Sequence, residues 1–268
     1  MNLPKPNKIN AQKYLAGLSL FNRKKARIKL SANESALGPS PKALREYLKV
    51  SKDIKKYPEA DGTFLKNALA KKFNLNSERI ILGSGSDQIF EFICKAFLNK
   101  NDEVIVSEFS FIIYRIYSKI CGAKIKYAKE KKFTISVENI LSKVTKRTKI
   151  VFLANPNNPT GTILNKKELL ELRKKLRSNI LLVIDDAYFE YVKNKNYLSG
   201  MKLFYNSKNV IVTRTFSKIY GAKIKYAKEN NFRVSIKNIL SEVTKKQRLF
   251  FWQTLITQLE QFLIKKNY

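Results

Sequence analysis

A chain of 268 residues with 53 Lys and Arg against 21 Asp and Glu carries a formal net charge of +32 and has room for one large domain with an ample core. The lack of histidine excludes His-based catalysis and His-ligated zinc, and Cys94 and Cys121 lack the partner spacing of a disulfide framework or a metal site. The first 20 residues hold no apolar segment of signal-peptide length, and no run approaches the ~18 apolar residues of a membrane span, so a soluble cytoplasmic protein is expected.

Six strands are expected in chain order: Ile80–Leu82, Glu103–Val106, Lys124–Tyr127, Lys149–Leu153, Ile180–Ile184 and Asn209–Thr213. Several are apolar on both faces, as buried parallel strands must be. Amphipathic helices fill gaps over 86–98, 111–121 and 166–177. The fold class is therefore α/β, a mainly parallel sheet with helices on both faces, and ligands should sit at the carboxyl ends of its strands.

Four motifs fall at those ends. Gly83-Ser84-Gly85-Ser86-Asp87-Gln88 joins a strand to a helix start, where free amides and the positive dipole end make a cup for phosphate; Ser86 or Asp87 as a plain N-cap is the alternative. Asn155-Pro156-Asn157-Asn158-Pro159-Thr160-Gly161 bars its strand from continuing and either displays asparagine amides rigidly or is only a turn. Asp185 ends an apolar strand in Ile184-Asp185-Asp186-Ala187-Tyr188, where a carboxylate is costly without a cationic partner such as a protonated ring nitrogen; an exposed strand-end aspartate is the bland reading. Lys218 in Thr215-Phe216-Ser217-Lys218 could form an imine with a carbonyl cofactor or be one more solvated lysine.

A duplication begins inside that last motif. Residues 217–246 repeat 118–147 at a constant offset of 99, with 21 identities in the 29 positions from 118 to 146. Solenoids need three or more units, and nothing else recurs, so a duplication joint is the better reading. The likeness stops after Phe152 and Phe251. A synonymous-codon string for Leu153–Ile163, read one base later, encodes Trp252–Phe262, and its continuation gives Lys265-Lys266-Asn267-Tyr268 and a stop. Residues 252–268 are thus expected to be a frameshifted tail without function.

A net charge this high would in isolation suggest a nucleic acid partner. The lysines, however, are spread evenly, aromatics do not interleave with them, and no helix-turn-helix or zinc-finger spacing occurs. Abundant Lys, Asn, Ile and Phe with scarce Gly, Pro and Trp fit AT-rich coding, and the basic nucleic-acid-binding protein is kept only as the rival class.

Together with Lys29-Leu30-Ser31-Ala32-Asn33-Glu34, Leu37-Gly38-Pro39-Ser40-Pro41, Lys56-Tyr57-Pro58-Glu59 and Asp61-Gly62, the four motifs in this order resemble the fold-type I pyridoxal-phosphate (PLP) aminotransferases, nearest their histidinol-phosphate branch. Threonine-phosphate decarboxylase-like proteins share nearly all of the pattern, and an inactive fragment is the third reading. The resemblance implies a PLP-binding large domain over 31–216 behind an arm at 1–30, with the C-terminal small domain missing; the duplication adds a copied segment at 217–251 and the tail at 252–268. It implies transfer of an amino group between histidinol phosphate and 2-oxoglutarate, in histidine biosynthesis. Lys218 would carry the cofactor, Asp185 would bind its ring nitrogen, Asn158 and Tyr188 its ring oxygen, and Phe111 would stack on the ring. Ser86, Asp87, Thr215 and Ser217 match phosphate-side positions, and Tyr57 matches a tyrosine that reaches the phosphate from the neighbouring subunit of a homodimer. Two departures stand out. A phosphate-gripping arginine is replaced by Tyr226, and the antiparallel strand beyond it is absent, with Gly221–Ala227 as a substitute, so weak or no transamination is expected.

Overall fold

The computed structural model describes residues 20–21, 24–25, 32–35, 37–50, 59, 61–218 and 248–252. Its centre is a seven-stranded sheet in the order β3-β9-β8-β7-β6-β4-β5. The strands are β3 (Ile80–Gly83), β4 (Glu103–Ser107), β5 (Lys124–Ala128), β6 (Thr148–Ala154), β7 (Leu181–Asp185), β8 (Val210–Thr215) and β9 (Arg248–Trp252). Every neighbouring pair is parallel. All seven carboxyl ends therefore lie on one rim. A separate two-residue antiparallel pair joins β1 (Leu20–Phe21) to β2 (Lys24–Lys25).

Alternation along the strands divides the core in two. On one face Ile105, Val151, Leu153, Leu182, Ile184, Val210 and Val212 meet α2 (Thr63–Phe73), α5 (Val137–Ser142), α6 (Lys166–Lys175) and α7 (Gly200–Asn206). On the other, Val104, Val106, Ile150, Phe152, Val183 and Ile211 meet α3 (Ser86–Phe97) and α4 (Ile112–Ile120). One-residue alternation thus decides which helix layer each side chain beyond a strand end will face. A further helix, α1 (Pro41–Val50), precedes α2.

All six expected strands form, to within a residue or two at their ends, as do the three expected helices. The helices α1, α2, α5 and α7 add to them. α5 and α7 span only six and seven residues, too few for a helical period to stand out. α6 starts with a capping box in which the Asn165 side chain accepts from the Glu168 amide and the Glu168 carboxylate accepts from the Asn165 amide. At its other end the buried Arg173 guanidinium donates to the carbonyls of Ile180, Leu176 and Arg177 at 2.8–2.9 Å, closing the turn into β7.

The sheet contains both copies of the repeated strand. Arg248–Trp252 stands at offset 99 from residues 149–153 of β6 and lies between β3 and β8, pairing Phe250 with Ile81 and with Thr213. It runs parallel to both neighbours, unlike the antiparallel strand expected to be absent from this chain. The substitute expected at Gly221–Ala227, and Tyr226 with it, lies outside the described residues. Trp252, assigned above to the tail, is the last residue of β9.

Candidate functional site

The motif residues gather at the carboxyl rim because each follows a parallel strand. Beyond β3 the chain turns through Gly85, at φ 116, into α3. No side chain caps this helix start, so the plain N-cap reading of Ser86 and Asp87 does not hold: Ser86 is the first helical residue and Gly85 the cap. Gln88 instead folds back to accept from the Ser84 amide at 2.6 Å. A Cβ on Gly83 would come within 2.8 Å of Ile89 Cδ1, which is why the helix can start so close to the strand end.

In the Asn155–Gly161 loop the three asparagines divide their work. Asn155 is buried; its backbone N–H donates to the Asp185 carbonyl at 3.0 Å, and its side-chain Oδ1 accepts from the Leu164 amide at 2.9 Å. Asn157 is also buried and bonds to Thr160 Oγ1 at 2.9 Å and Glu130 Oε1 at 3.2 Å. Both hold the loop itself. Only Asn158 lines the adjoining cavity of about 480 Å³ without such internal bonds, alongside Asn33, Tyr188, Tyr191 and Lys193.

Asp185 closes β7 in a buried setting. Tyr114 Oη donates to its Oδ2 at 2.6 Å, and the Ala187 amide and Thr213 Oγ1 donate to Oδ1 at 3.1 and 3.2 Å. Burial pushes the Asp185 carboxyl above the usual carboxylate range, while these donors pull it back. Asp185 is therefore not the exposed strand-end aspartate of the bland reading.

Beyond β8, Thr215 and Ser217 are buried and share a hydroxyl hydrogen bond of 2.8 Å, and the Ser217 amide donates to Thr215 Oγ1 at 3.0 Å. This small turn aims Lys218 back over the rim. Its Nζ donates to the Asn33 carbonyl at 3.2 Å and sits 5.1 Å from the centre of the Tyr188 ring. The Asn33 side-chain amide donates in turn to Tyr188 Oη at 2.9 Å. Burial holds the Lys218 amine below the usual lysine range, opposed by the charges of Asp185, Asp87 and Glu34. A partly desolvated amine is the form suited to attack a carbonyl.

Phe111 caps the start of α4, its ring edge-on to Tyr114 at 5.7 Å. Tyr57 lies outside the described residues. The other nine candidates, Ser86, Asp87, Phe111, Asn158, Asp185, Tyr188, Thr215, Ser217 and Lys218, end or follow β3, β4, β6, β7 and β8 along the rim. Sequence reasoning missed Tyr114 and Thr213. The signal for Tyr114 was its place three residues after Phe111, on the same helical face; that for Thr213 was its spacing of two from Thr215 on β8.

The chain matches the family model described as aminotransferase class I and II over residues 25–223. It is 53% identical over 221 residues to a histidinol-phosphate aminotransferase of Pelagibacter ubique, covering 82% of this chain and 61% of that protein. To the histidinol-phosphate aminotransferase of Paramagnetospirillum magneticum it is 43% identical over 218 residues, covering 81% and 60%. The chain thus spans about three fifths of the length of these curated relatives. A crystal structure of histidinol-phosphate aminotransferase from Sinorhizobium meliloti in complex with pyridoxal-5'-phosphate is similar at a TM-score of 0.68 and 25% identity, over 79% of this chain and 62% of that one. Alanine aminotransferase from Pyrococcus furiosus, at 21% identity, shares the fold with a TM-score of 0.70 over 88% and 64%. A family match over most of its length, and more than half identity to a curated relative across four fifths of it, place this chain among the class I and II aminotransferases.

Proposed function

We propose that this chain is the cofactor-holding part of a PLP-dependent aminotransferase that moves an amino group from histidinol phosphate to 2-oxoglutarate, as a cytoplasmic homodimer. The observation that carries this reading is a half-buried amine, Lys218 Nζ, on the same strand rim as the enclosed carboxylate of Asp185. Names of relatives at 53% and 43% identity support the substrate branch. Among the described residues no helix is long and apolar enough to cross a membrane.

The residues present fit the cofactor. The uncapped start of α3 beside Ser86 and Asp87, with the hydroxyls of Thr215 and Ser217, is a setting for a phosphate. The Asp185 carboxylate, short of full solvation, favours a protonated nitrogen next to it. Asn158 and Tyr188 supply donors for a ring oxygen, and Phe111 an aromatic face. When bound, PLP supplies an aldehyde and an electron-accepting ring. Lys218 would then have two tasks: to hold the group, and to take up and give back a proton at its own amine. Its depressed basicity suits the second, because a neutral amine is the one that accepts. Tyr57 of a neighbouring subunit would complete the phosphate contacts. With Tyr226 in place of a phosphate-gripping arginine, transamination should be weak or absent.

Borohydride reduction of the protein saturated with PLP, followed by peptide mapping, should place the pyridoxyl mass on Lys218 and lose it in Lys218→Ala. No label at this position overturns the reading. Glutamate formation from histidinol phosphate and 2-oxoglutarate tests the substrate. The domain division, with its copied segment and tail, belongs to the same reading, and the nucleotide sequence across codons 215–268 tests it.

A further inference from the structure

Behind the cofactor-facing row, on the other face of the sheet, lies a second polar cluster that the proposed chemistry does not use. Alternation sends Asp185 and Thr213 toward α4 but Asp186 and Arg214 toward α7. Asp186 is fully buried and accepts from Ser199 Oγ at 2.7 Å, from the Gly200 amide at 2.9 Å and from Tyr197 Oη at 3.3 Å. Arg214, 5% exposed, donates to Ser199 Oγ at 2.9 Å and stands 3.6 Å from Asp186 Oδ2. Its guanidinium lies 3.3 Å over the Phe189 ring. Tyr197 Oη also donates to the Asn155 carbonyl at 2.8 Å. The cluster therefore ties together the ends of β6, β7 and β8. These are the strand ends that present Asn158, Asp185 and Lys218.

We propose that Asp186 and Arg214, bridged by Ser199, are positioning residues that fix the spacing of the cofactor-holding strand ends from the opposite face of the sheet. The inference rests on the cofactor reading above. Each member of the pair is adjacent in sequence to a site residue, Asp186 to Asp185 and Arg214 to Thr215, so any shift in the pair moves the site backbone directly. Arg214 is pinned by a ring stack and a hydrogen bond, and Asp186 by a helix-start amide. Gly200 allows this, because a Cβ there would fall 2.9 Å from Ile184 Cγ2 and 3.1 Å from Val212 Cγ2. Removing one charge leaves the other buried without its partner, and the strand ends must move to let water in.

The test compares Arg214→Met, Asp186→Asn and the double variant, all as the full chain. Arg214→Met should bind PLP about tenfold or more weaker, because a site loses its supporting geometry when the residues behind it are removed, and shift the visible absorption band of the loaded protein. The double variant, with neither charge of the pair left, should recover binding to within about threefold. In the cofactor-free protein, amide exchange in Arg214→Met should quicken at residues 184–188 and 213–218 and not elsewhere. Arg214→Lys, which keeps the charge but loses the planar fork, should show the same confined change if the methionine variant does not fold. Parent-like binding and absorption in Arg214→Met, a double variant no better than the single, or exchange quickened throughout the sheet each overturns the proposal. A parent protein that takes up no PLP overturns the cofactor reading instead, and the exchange pattern still decides this one.

Discussion

Replacing Tyr114 by phenylalanine isolates one hydrogen bond to the most enclosed carboxylate of the site. The ring is fully buried, stacked on Phe152 at 4.9 Å with 3° between planes and edge-on to Phe90 at 4.8 Å, contacts that phenylalanine keeps. What disappears is the 2.6 Å donation to Asp185 Oδ2, while the Ala187 amide and Thr213 still serve Oδ1. A hydrogen bond to a buried charged group contributes about 1.5–3 kcal/mol, so Tyr114→Phe should destabilise the chain by about 2 kcal/mol at pH 7. Tyr114 also lowers the Asp185 pKa, so its loss drives that carboxyl further up. The deficit should therefore shrink as acid protonates Asp185, since the neutral carboxyl needs the donor less. Guanidinium unfolding at pH 7 and near pH 4 measures both, with an unchanged denaturant slope. A loss below about 0.5 kcal/mol at pH 7 would mean that the bond contributes nothing net, and the electrostatic account of the site would fail.

Asp185→Asn tests the same account by pH. Burial raises the Asp185 pKa above its ordinary 3.8, so between 3.8 and the raised value the folded chain binds more protons than the unfolded one and stability falls as pH rises. The asparagine variant lacks this fall and should gain on the parent between pH 4 and pH 7 in cofactor-free unfolding; a constant difference refutes it. Gly200→Ala forces a Cβ against Ile184 and Val212 and should cost about 1–3 kcal/mol, read in the same unfolding assay. Arg173→Ala leaves the carbonyls of Leu176, Arg177 and Ile180 without their donor and should cost about 3 kcal/mol; a loss under about 1 kcal/mol would show that water replaces the guanidinium.

The sheet was legible because strands such as Ile150-Val151-Phe152-Leu153 are apolar at every position, a pattern only a doubly covered strand sustains. The rim motifs were legible because proline, glycine and polar residues interrupt those runs at their carboxyl ends. Less was visible where meaning depends on a partner far along the chain. Nothing in Ile184-Asp185-Asp186-Ala187 says that one aspartate faces Tyr114 and the next Arg214; that follows from strand alternation once two helix layers are in place. Likewise Asn155 and Asn157 read like ligand-facing amides, and their use in bracing the loop appears only when Leu164 and Glu130 are brought alongside. The copied strand is the extreme case. It shares only Phe251 with β6 at the constant offset, and only the pairing with Ile81 and Thr213 shows the place it occupies.

Strands that all point the same way impose an orientation on the helices between them. α3, α4 and α6 leave the rim after β3, β4 and β6, so their amino ends face it. Added to a net charge of +32, these aligned peptide dipoles should favour small anions near the rim before any contact is made. Association of an anionic probe should then be faster at low ionic strength and slow as salt thins the field.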